Sequence, residues 1–313
     1  MSSSEDSDAG EQLLRVICGP TAAGKSAIAM WLAELHGCAI VSADSRQLYR
    51  GFDIGTAKPT AEEQARVPHY GVNAADPDER WSAARWARSA RGWIASAREA
   101  ARTPLIVGGT GFYISAIANP IAAVPELNPA SRDELSTVLA AFTTEELRRW
   151  TTELDPPRAH LGRAQLVRAV ETVLLAGRRL SDSYTSSRQP ASVRLRYLVV
   201  DPGRDELRER IAERVDAMLA RGWLEEVRQL MRTVPREAPA WKSTGYSTLR
   251  DQLEGRYTPS EARERVIVDT RRYAKRQRTW FRHQLPREQA TYLDPNDGNA
   301  RKIVEEWWIN NSQ

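Results

Sequence analysis

The stretch Gly19-Pro20-Thr21-Ala22-Ala23-Gly24-Lys25-Ser26 constrains this chain more than any other. It reads G-x-x-x-x-G-K-[ST], a loop whose backbone N–H groups turn inward around a phosphate. The apolar run at residues 13–18 predicts a buried strand before it, and residues 27–35 predict a helix after it. A helix that starts there brings partial positive charge to its N-terminus. Lys25 adds a full charge, and the Ser26 hydroxyl can hold Mg²⁺. The loop therefore predicts a phosphate or diphosphate ligand without saying which molecule carries it.

Further strands are predicted at residues 38–43, 104–107 and 194–200. The first delivers Asp44-Ser45-Arg46-Gln47 to a loop. The second ends at Gly108-Gly109-Thr110-Gly111, where three glycines let backbone approach a ligand closely. In an open α/β sheet, ligands bind at the carboxyl ends of the strands, so these loops should converge on the phosphate loop. Asp44 then reads as a Mg²⁺ ligand or a plain turn aspartate on position alone. Residues 49–59 read as an ordered loop beside the site, and residues 81–102 and 112–118 as helices. The expected fold class is α/β, a P-loop NTPase-like core whose parallel sheet is flanked by helices.

From residue 119 the strand pattern stops until 194. Thr143 with Glu146 forms a capping box, and Asp155-Pro156 sets a cap before a first-turn proline. Leu166, Val170, Val173 and Leu174 follow helical spacing. Residues 119–193 are expected to form an all-helical insertion domain, with 181–190 as a polar linker. The core is expected at 12–118 and 194–313. Within it, residues 205–221 form a charged helix with Leu207, Ile211, Val215 and Met218 as its apolar stripe. Thr258-Pro259-Ser260-Glu261 opens a long helix that reaches about residue 283. Val266, Thr270, Tyr273, Gln277 and Trp280 make one stripe on it; Arg271, Lys275, Arg278 and Arg282 make another, with Arg272 and Arg276 beside it. A basic helix flanked by aromatics suits a nucleic-acid backbone. Trp307 and Trp308 predict a short terminal helix.

The chain has 45 Lys and Arg against 41 Asp and Glu, a net charge of +4, so the basic excess matters only where it is clustered. Cys18 and Cys38 sit in apolar runs and read as buried hydrophobes in a reducing compartment. The histidines and cysteines lack zinc spacing. No apolar run approaches the roughly 18 residues of a membrane span. Residues 1–11 are Ser-rich and acidic, and read as a disordered tail with no signal-peptide order. A cytoplasmic monomer without a membrane partner is expected. Where a Walker B aspartate could stand, the strand at 104–107 leads into Gly-Gly-Thr. The residues thus describe a phosphate-handling enzyme that engages a polyanionic second substrate.

The sequence resembles the tRNA dimethylallyltransferase family, also called tRNA isopentenyltransferases, of bacterial type. The motifs that carry the resemblance are GPTAAGKS, SADSRQLYRGFDIGTAKP, VGGTGFY, RVDAMLARGWLEEV, the Gly-Tyr of KSTGY, and YAKRQRTWFR; the resemblance spans residues 14–282. The resemblance implies transfer of a dimethylallyl group from dimethylallyl diphosphate to the exocyclic amine of the adenosine 3′ to the anticodon. An adenylate isopentenyltransferase acting on free nucleotide shares the phosphate loop and the aspartate. It needs neither the helical insertion nor the basic helix.

The resemblance implies the following roles. Asp44 is the general base, because the aromatic amine becomes acidic as its new C–N bond forms. Thr110 positions the reacting groups. Loop residues 19–26, Lys25, Mg²⁺ through Ser26, and Arg214 stabilise the departing diphosphate, with Arg210 as the fallback for Arg214. For tRNA it implies Asp44, Ser45, Arg46, Gln47 and Thr110 at a flipped-out adenine. Arg132, Gln165 and Arg168 are implied in the insertion. Lys242, Gly245, Tyr246, Lys275, Arg276, Gln277, Arg278, Trp280 and Arg282 are implied on the core. The chain departs from the family at Ala164-Gln165, where Gln-Arg is frequent, and at Asn73, where an aspartate often follows the Pro-His pair.

Overall fold

Alternation of short apolar runs with helical segments builds the core. In a computed structural model that describes residues 12–119, 127–185 and 193–310, it runs β1 (Gln12–Cys18), α1 (Lys25–His36), β2 (Cys38–Ser42), α2 (Ala61–Arg66), β3 (His69–Tyr70), α3 (Ala83–Glu99), β4 (Thr103–Gly108) and α4 (Gly111–Ala118). Four helices follow: α5 (Pro129–Ala140), α6 (Thr144–Leu154), α7 (Arg163–Ala176) and α8 (Leu180–Thr185). The core resumes with β5 (Val193–Val200), α9 (Arg204–Ala220), α10 (Trp223–Thr233), α11 (Tyr246–Leu253), α12 (Pro259–Gln284), β6 (Ala290–Leu293) and α13 (Ala300–Ile309).

The strands form one sheet in the order β3-β2-β4-β1-β5-β6, every pair parallel. Its central members are buried on both faces, which is why β2 and β4 read as unbroken apolar runs. β1 sits in the middle, with Cys18 beside Gly108 on one side and Val199 on the other. The carboxyl ends of β1, β2, β4 and β5 therefore lie side by side. Ile17, Leu32, Leu105 and Leu198 pack into one core cluster with Val304 and Trp307 of α13. The terminal helix is held further by Arg15, whose Nη2 donates to the Trp308 carbonyl at 2.7 Å. Cys18 and Cys38 are free and buried.

Contacts divide the chain into two compact units, Asn119–Ala191 and the remainder. The smaller unit packs Leu139, Leu147, Leu166 and Val170 around a core of its own. The Thr143–Glu146 and Thr258–Glu261 capping boxes both form. Asp155-Pro156 opens a single 3₁₀ turn, not a full helix. Leu174 is half exposed and lies off the buried stripe of α7. The expected linker at 181–190 is helical through Thr185 as part of α8, and residues 186–190 lie outside the described residues, as do 1–11. β3 and β6, two and four residues long, are too short for any periodicity to announce them.

The sheet ends meet so closely that Gly108 has no room for a side chain: a Cβ there would lie 2.2 Å from the Ala43 carbonyl oxygen. Gly108→Ala must push β2 and β4 apart at their site ends. We expect it to lower unfolding free energy by about 2–3 kcal/mol, in the upper range for overpacking, read as a shift in the urea midpoint.

Candidate active site

The phosphate loop leaves β1 through a sequence of left-handed residues. Gly19, Ala22 and Gly24 have φ of +140°, +63° and +95°. A Cβ at Gly19 would lie 2.2 Å from the Val200 carbonyl oxygen, so only glycine lets the loop leave beside β5. α1 then begins at Lys25 without a side-chain cap, and its first amides point into the loop. Lys25 folds back, its Nζ donating to the Pro20 carbonyl at 2.6 Å. Burial pushes its ammonium down to about 8, with Arg214 pushing the same way and Asp44 opposing. Ser26 is exposed at the helix start, faces the cavity, and makes no side-chain hydrogen bond among the described residues. Its free hydroxyl fits a Mg²⁺ ion whose other ligands are phosphate oxygens. No cluster of three or more His, Cys, Asp or Glu able to hold a metal by itself occurs among the described residues.

Asp44 is set by a stitch between the ends of β2 and β4. Ala43 N–H donates to the Val107 carbonyl at 2.7 Å, and Thr110 N–H to the Ala43 carbonyl at 3.1 Å. The Thr110 hydroxyl accepts from Ser45 N–H at 3.1 Å. Asp44 Oδ1 accepts from Arg46 N–H at 2.8 Å, an Asx-type turn that orients the carboxylate. Its other oxygen has no hydrogen-bond partner among the described residues. Tyr273 of α12 comes within hydrogen-bonding reach of the Thr110 hydroxyl. Burial and the Asp44 charge both push its phenol up, so it remains a proton donor.

The far wall comes from α9 and α10. Ile211, Val215 and Met218 of the expected α9 stripe line the cavity with Trp223. Arg214 enters it from the same helix and makes no ion pair or hydrogen bond among the described residues. Burial lowers its basicity, Asp44 opposes this, and Arg221 adds to it. Arg210, the fallback, is instead spent on Glu206 and Asn296. Arg214 thus reaches the cavity without a protein carboxylate partner among the described residues.

Sequence reasoning missed the brace that holds loop 53–57 over this cavity. Glu226 Oε2 accepts from the N–H groups of Asp53 and Ile54, at 3.2 and 2.8 Å. Tyr246 Oη donates to Glu226 Oε1 at 2.6 Å and accepts from Gly55 N–H at 3.1 Å. Burial pushes the Glu226 carboxyl up, and these donors pull the other way. A Cβ at Gly55 would lie 2.1 Å from the Trp223 ring, and one at Gly245 2.3 Å from its other side. Gly245 and the fully buried Tyr246, expected at tRNA, therefore support the cavity from behind. The signal was present in their shared motifs, but spacing does not reveal that 53–55, 226 and 246 meet. Ser243 Oγ and Trp223 Nε1 also line this region buried and without a hydrogen-bond partner, two polar groups a ligand could satisfy.

Several other residues expected at RNA are buried or already paired within the protein. Gln47 is turned inward, donating to the Ala57 carbonyl at 3.0 Å and accepting from Ser42 Oγ at 2.8 Å. Gln277 is buried against the phosphate loop. The Trp280 ring covers Gly111, where a Cβ would lie 2.2 Å from it. Arg278 is engaged with Asp201 and the Pro202 carbonyl. Lys242, Lys275, Arg276 and Arg282 remain exposed. In the helical unit, Arg132 Nε lies 2.9 Å and Arg168 Nη1 3.7 Å from the buried Glu171 carboxylate. Gln165 accepts from Gly162 N–H, closing the start of α7. Asn73 accepts from buried Lys58, whose charge is balanced by Asp53, so an amide suffices where relatives often carry an acid.

The fold and this cavity define a P-loop transferase: an anion cradle at the sheet ends, a carboxylate opposite, and no Walker B aspartate. The IPP transferase family model matches residues 47–284, and an isopentenyl transferase model matches residues 12–68. The chain is 42% identical over 282 residues to a tRNA dimethylallyltransferase of Opitutus terrae, covering 87% of this chain and 91% of the relative. It is 39% identical over 274 residues to one of Acaryochloris marina, covering 86% and 89%. A solved full-length tRNA isopentenylpyrophosphate transferase of Bacillus halodurans superposes with TM-score 0.67 at 32% identity, covering 96% and 95%. The chain belongs to the IPP transferase family.

The lowered Lys25 gives a pH test. Its charged form attracts a diphosphate, and that form is lost in the free protein as pH rises through about 8. Affinity for inorganic pyrophosphate is expected to weaken over that interval by calorimetry. Lys25→Arg keeps its charge and should remove the loss specific to this group.

Proposed function

We propose that this chain transfers a dimethylallyl group from dimethylallyl diphosphate to the exocyclic amine of the adenosine 3′ to the anticodon of tRNA. The observation that carries it is one cavity in which the phosphate loop, Lys25 and the unpaired Arg214 face Asp44 across an apolar wall. A nucleotide hydrolase needs a water-positioning acid after β4; here the chain instead runs Gly109-Thr110. The relatives' naming for tRNA favours this reading over prenylation of free adenylate, as do the exposed cations of α12.

In the proposed reaction the adenine amine attacks the allylic carbon, the new C–N bond forms, and the C–O bond to diphosphate breaks with its electron pair. The Asp44 oxygen left free by the Arg46 turn takes the amine proton. The Thr110 hydroxyl, already bonded to Ser45 N–H, fixes the loop that presents that oxygen. Loop amides, Lys25 and Arg214 receive the charge that grows on the leaving group. Mg²⁺ held by Ser26 would screen the diphosphate oxygens. Ile211, Val215, Met218 and Trp223 offer the hydrocarbon tail a water-poor surface.

The adenine must leave the anticodon stack to reach this depth. Lys242, Lys275, Arg276 and Arg282 engage the RNA backbone, with Arg46 at the cavity mouth. The helical unit is assigned to the same anticodon arm; the family match across it supports this. We assign the enzyme to the cytoplasm as a monomer; no helix among the described residues is long and apolar enough to cross a membrane.

Labelled dimethylallyl diphosphate should transfer label to unmodified tRNA with an A-rich anticodon loop in the presence of Mg²⁺. Absence of label under all metal conditions would overturn the function. Asp44→Asn should lower kcat by about 10²–10⁴-fold, the range for a lost general base, and leave tRNA affinity near wild type. Full turnover in that variant would sink the base assignment alone.

A further inference from the structure

The carboxamide of Gln277 spans two loops that are far from it in sequence and leave different strands, β1 and β4. Its Oε1 accepts from Thr21 N–H in the phosphate loop at 2.8 Å. Its Nε2 donates to the Gly109 carbonyl at 2.9 Å. The side chain is buried, and a Cβ at Gly109 would lie 2.2 Å from Nε2. An amide N–H demands an acceptor and a carbonyl demands a donor, so only one orientation of the carboxamide serves both. No other side chain of that length offers one of each. One turn to either side, Tyr273 reaches Thr110 and Trp280 covers Gly111. The inward stripe of α12 is therefore matched residue by residue to the turn after β4.

We propose that Gln277 is a positioning residue for the diphosphate cradle, holding the phosphate loop and the Gly109–Thr110 turn at a set separation before any ligand arrives. This rests on the reading of the cradle as the prenyl-donor site. Both ends of the Gln277 carboxamide are bonded to backbone, so it acts through Thr21 on the anion cage and through Gly109 on the turn that carries Thr110. A cage whose first residue is free to drift must be reorganised on binding, and that cost appears in donor affinity.

The test measures Kd for inorganic pyrophosphate, KM and kcat for dimethylallyl diphosphate, and Kd for tRNA in wild type, Gln277→Met, Gln277→Glu and Gly109→Ala. Loss of two hydrogen bonds predicts pyrophosphate affinity weakened by roughly tenfold in Gln277→Met, with KM raised more than kcat is lowered. Gln277→Glu should be weaker still, because it sets an oxygen against the Gly109 carbonyl and adds negative charge beside the cradle. Gly109→Ala displaces the carboxamide while leaving α12 intact and should reproduce the Met phenotype; it carries the test if Gln277→Met does not fold. The double variant should be no worse than the poorer single. In all of them tRNA Kd should stay within about twofold, as expected for a group with no path to RNA. Unchanged pyrophosphate affinity in folded Gln277→Met or Gly109→Ala overturns the proposal. So does a loss confined to tRNA binding, which would make Gln277 an RNA contact. A wild type that binds no pyrophosphate would remove the donor-site reading itself, a distinct result.

Discussion

How closely the ends of β2 and β4 can approach decides the geometry of everything around the cavity. The stitch from Ala43 to Val107 and from Thr110 back to Ala43 needs the two backbones in direct contact, and Gly108 grants it by having no side chain. From that seam Asp44 departs on one side and Thr110 on the other, so the carboxylate and the hydroxyl that steadies its loop share one anchor. The phosphate loop leaves the neighbouring strand under the same constraint, with Gly19 pressed on Val200. Glycine is dictated here by space between backbones more than by turn flexibility.

The charge arrangement follows from what has been left unpaired. Several arginines on α9 and α12 are matched to acids: Arg210 to Glu206, Arg263 to Asp216, Arg278 to Asp201. Arg214 is not, and its burial makes that expensive. Lys25 is in a similar position, its nearest polar contact a backbone carbonyl. Two cations held back from solvent without carboxylate partners form a site already organised for an anion, and their mutual repulsion is relieved when one binds. The Asp44 carboxylate opposes the lowering of both pKa values.

α12 presents two different faces. Tyr273, Gln277 and Trp280 point at the sheet ends, while Lys275, Arg276 and Arg282 face water. A comparable division of labour occurs in the α10 and α11 region. The half-buried Glu226 and the buried Tyr246 are engaged with each other, and together they hold the backbone of residues 53–55 against the cavity. Tyr246, a motif residue that resemblance assigns to RNA, thus sits in this structure as a buried support of the cavity wall.

Local pattern was enough for the phosphate loop, the four longer strands, the apolar stripe of α9 and the capping boxes. Each of these depends on neighbours in sequence: a turn's φ signs, a two- or 3.6-residue period, a side chain reaching its own helix's amides. It also placed Asp44 and Thr110 near one another, because parallel strands must end on the same edge; Arg214, on a helix, was placed there only by resemblance. What sequence could not decide was which polar residues turn inward. Gln277 and Arg278 are adjacent on one helix, and nothing local says that the first meets Thr21, 256 residues away, while the second meets Asp201. Hydrogen bonds between distant segments are set by packing of the finished sheet and helices, so the supporting shell of this site belongs to the tertiary structure alone.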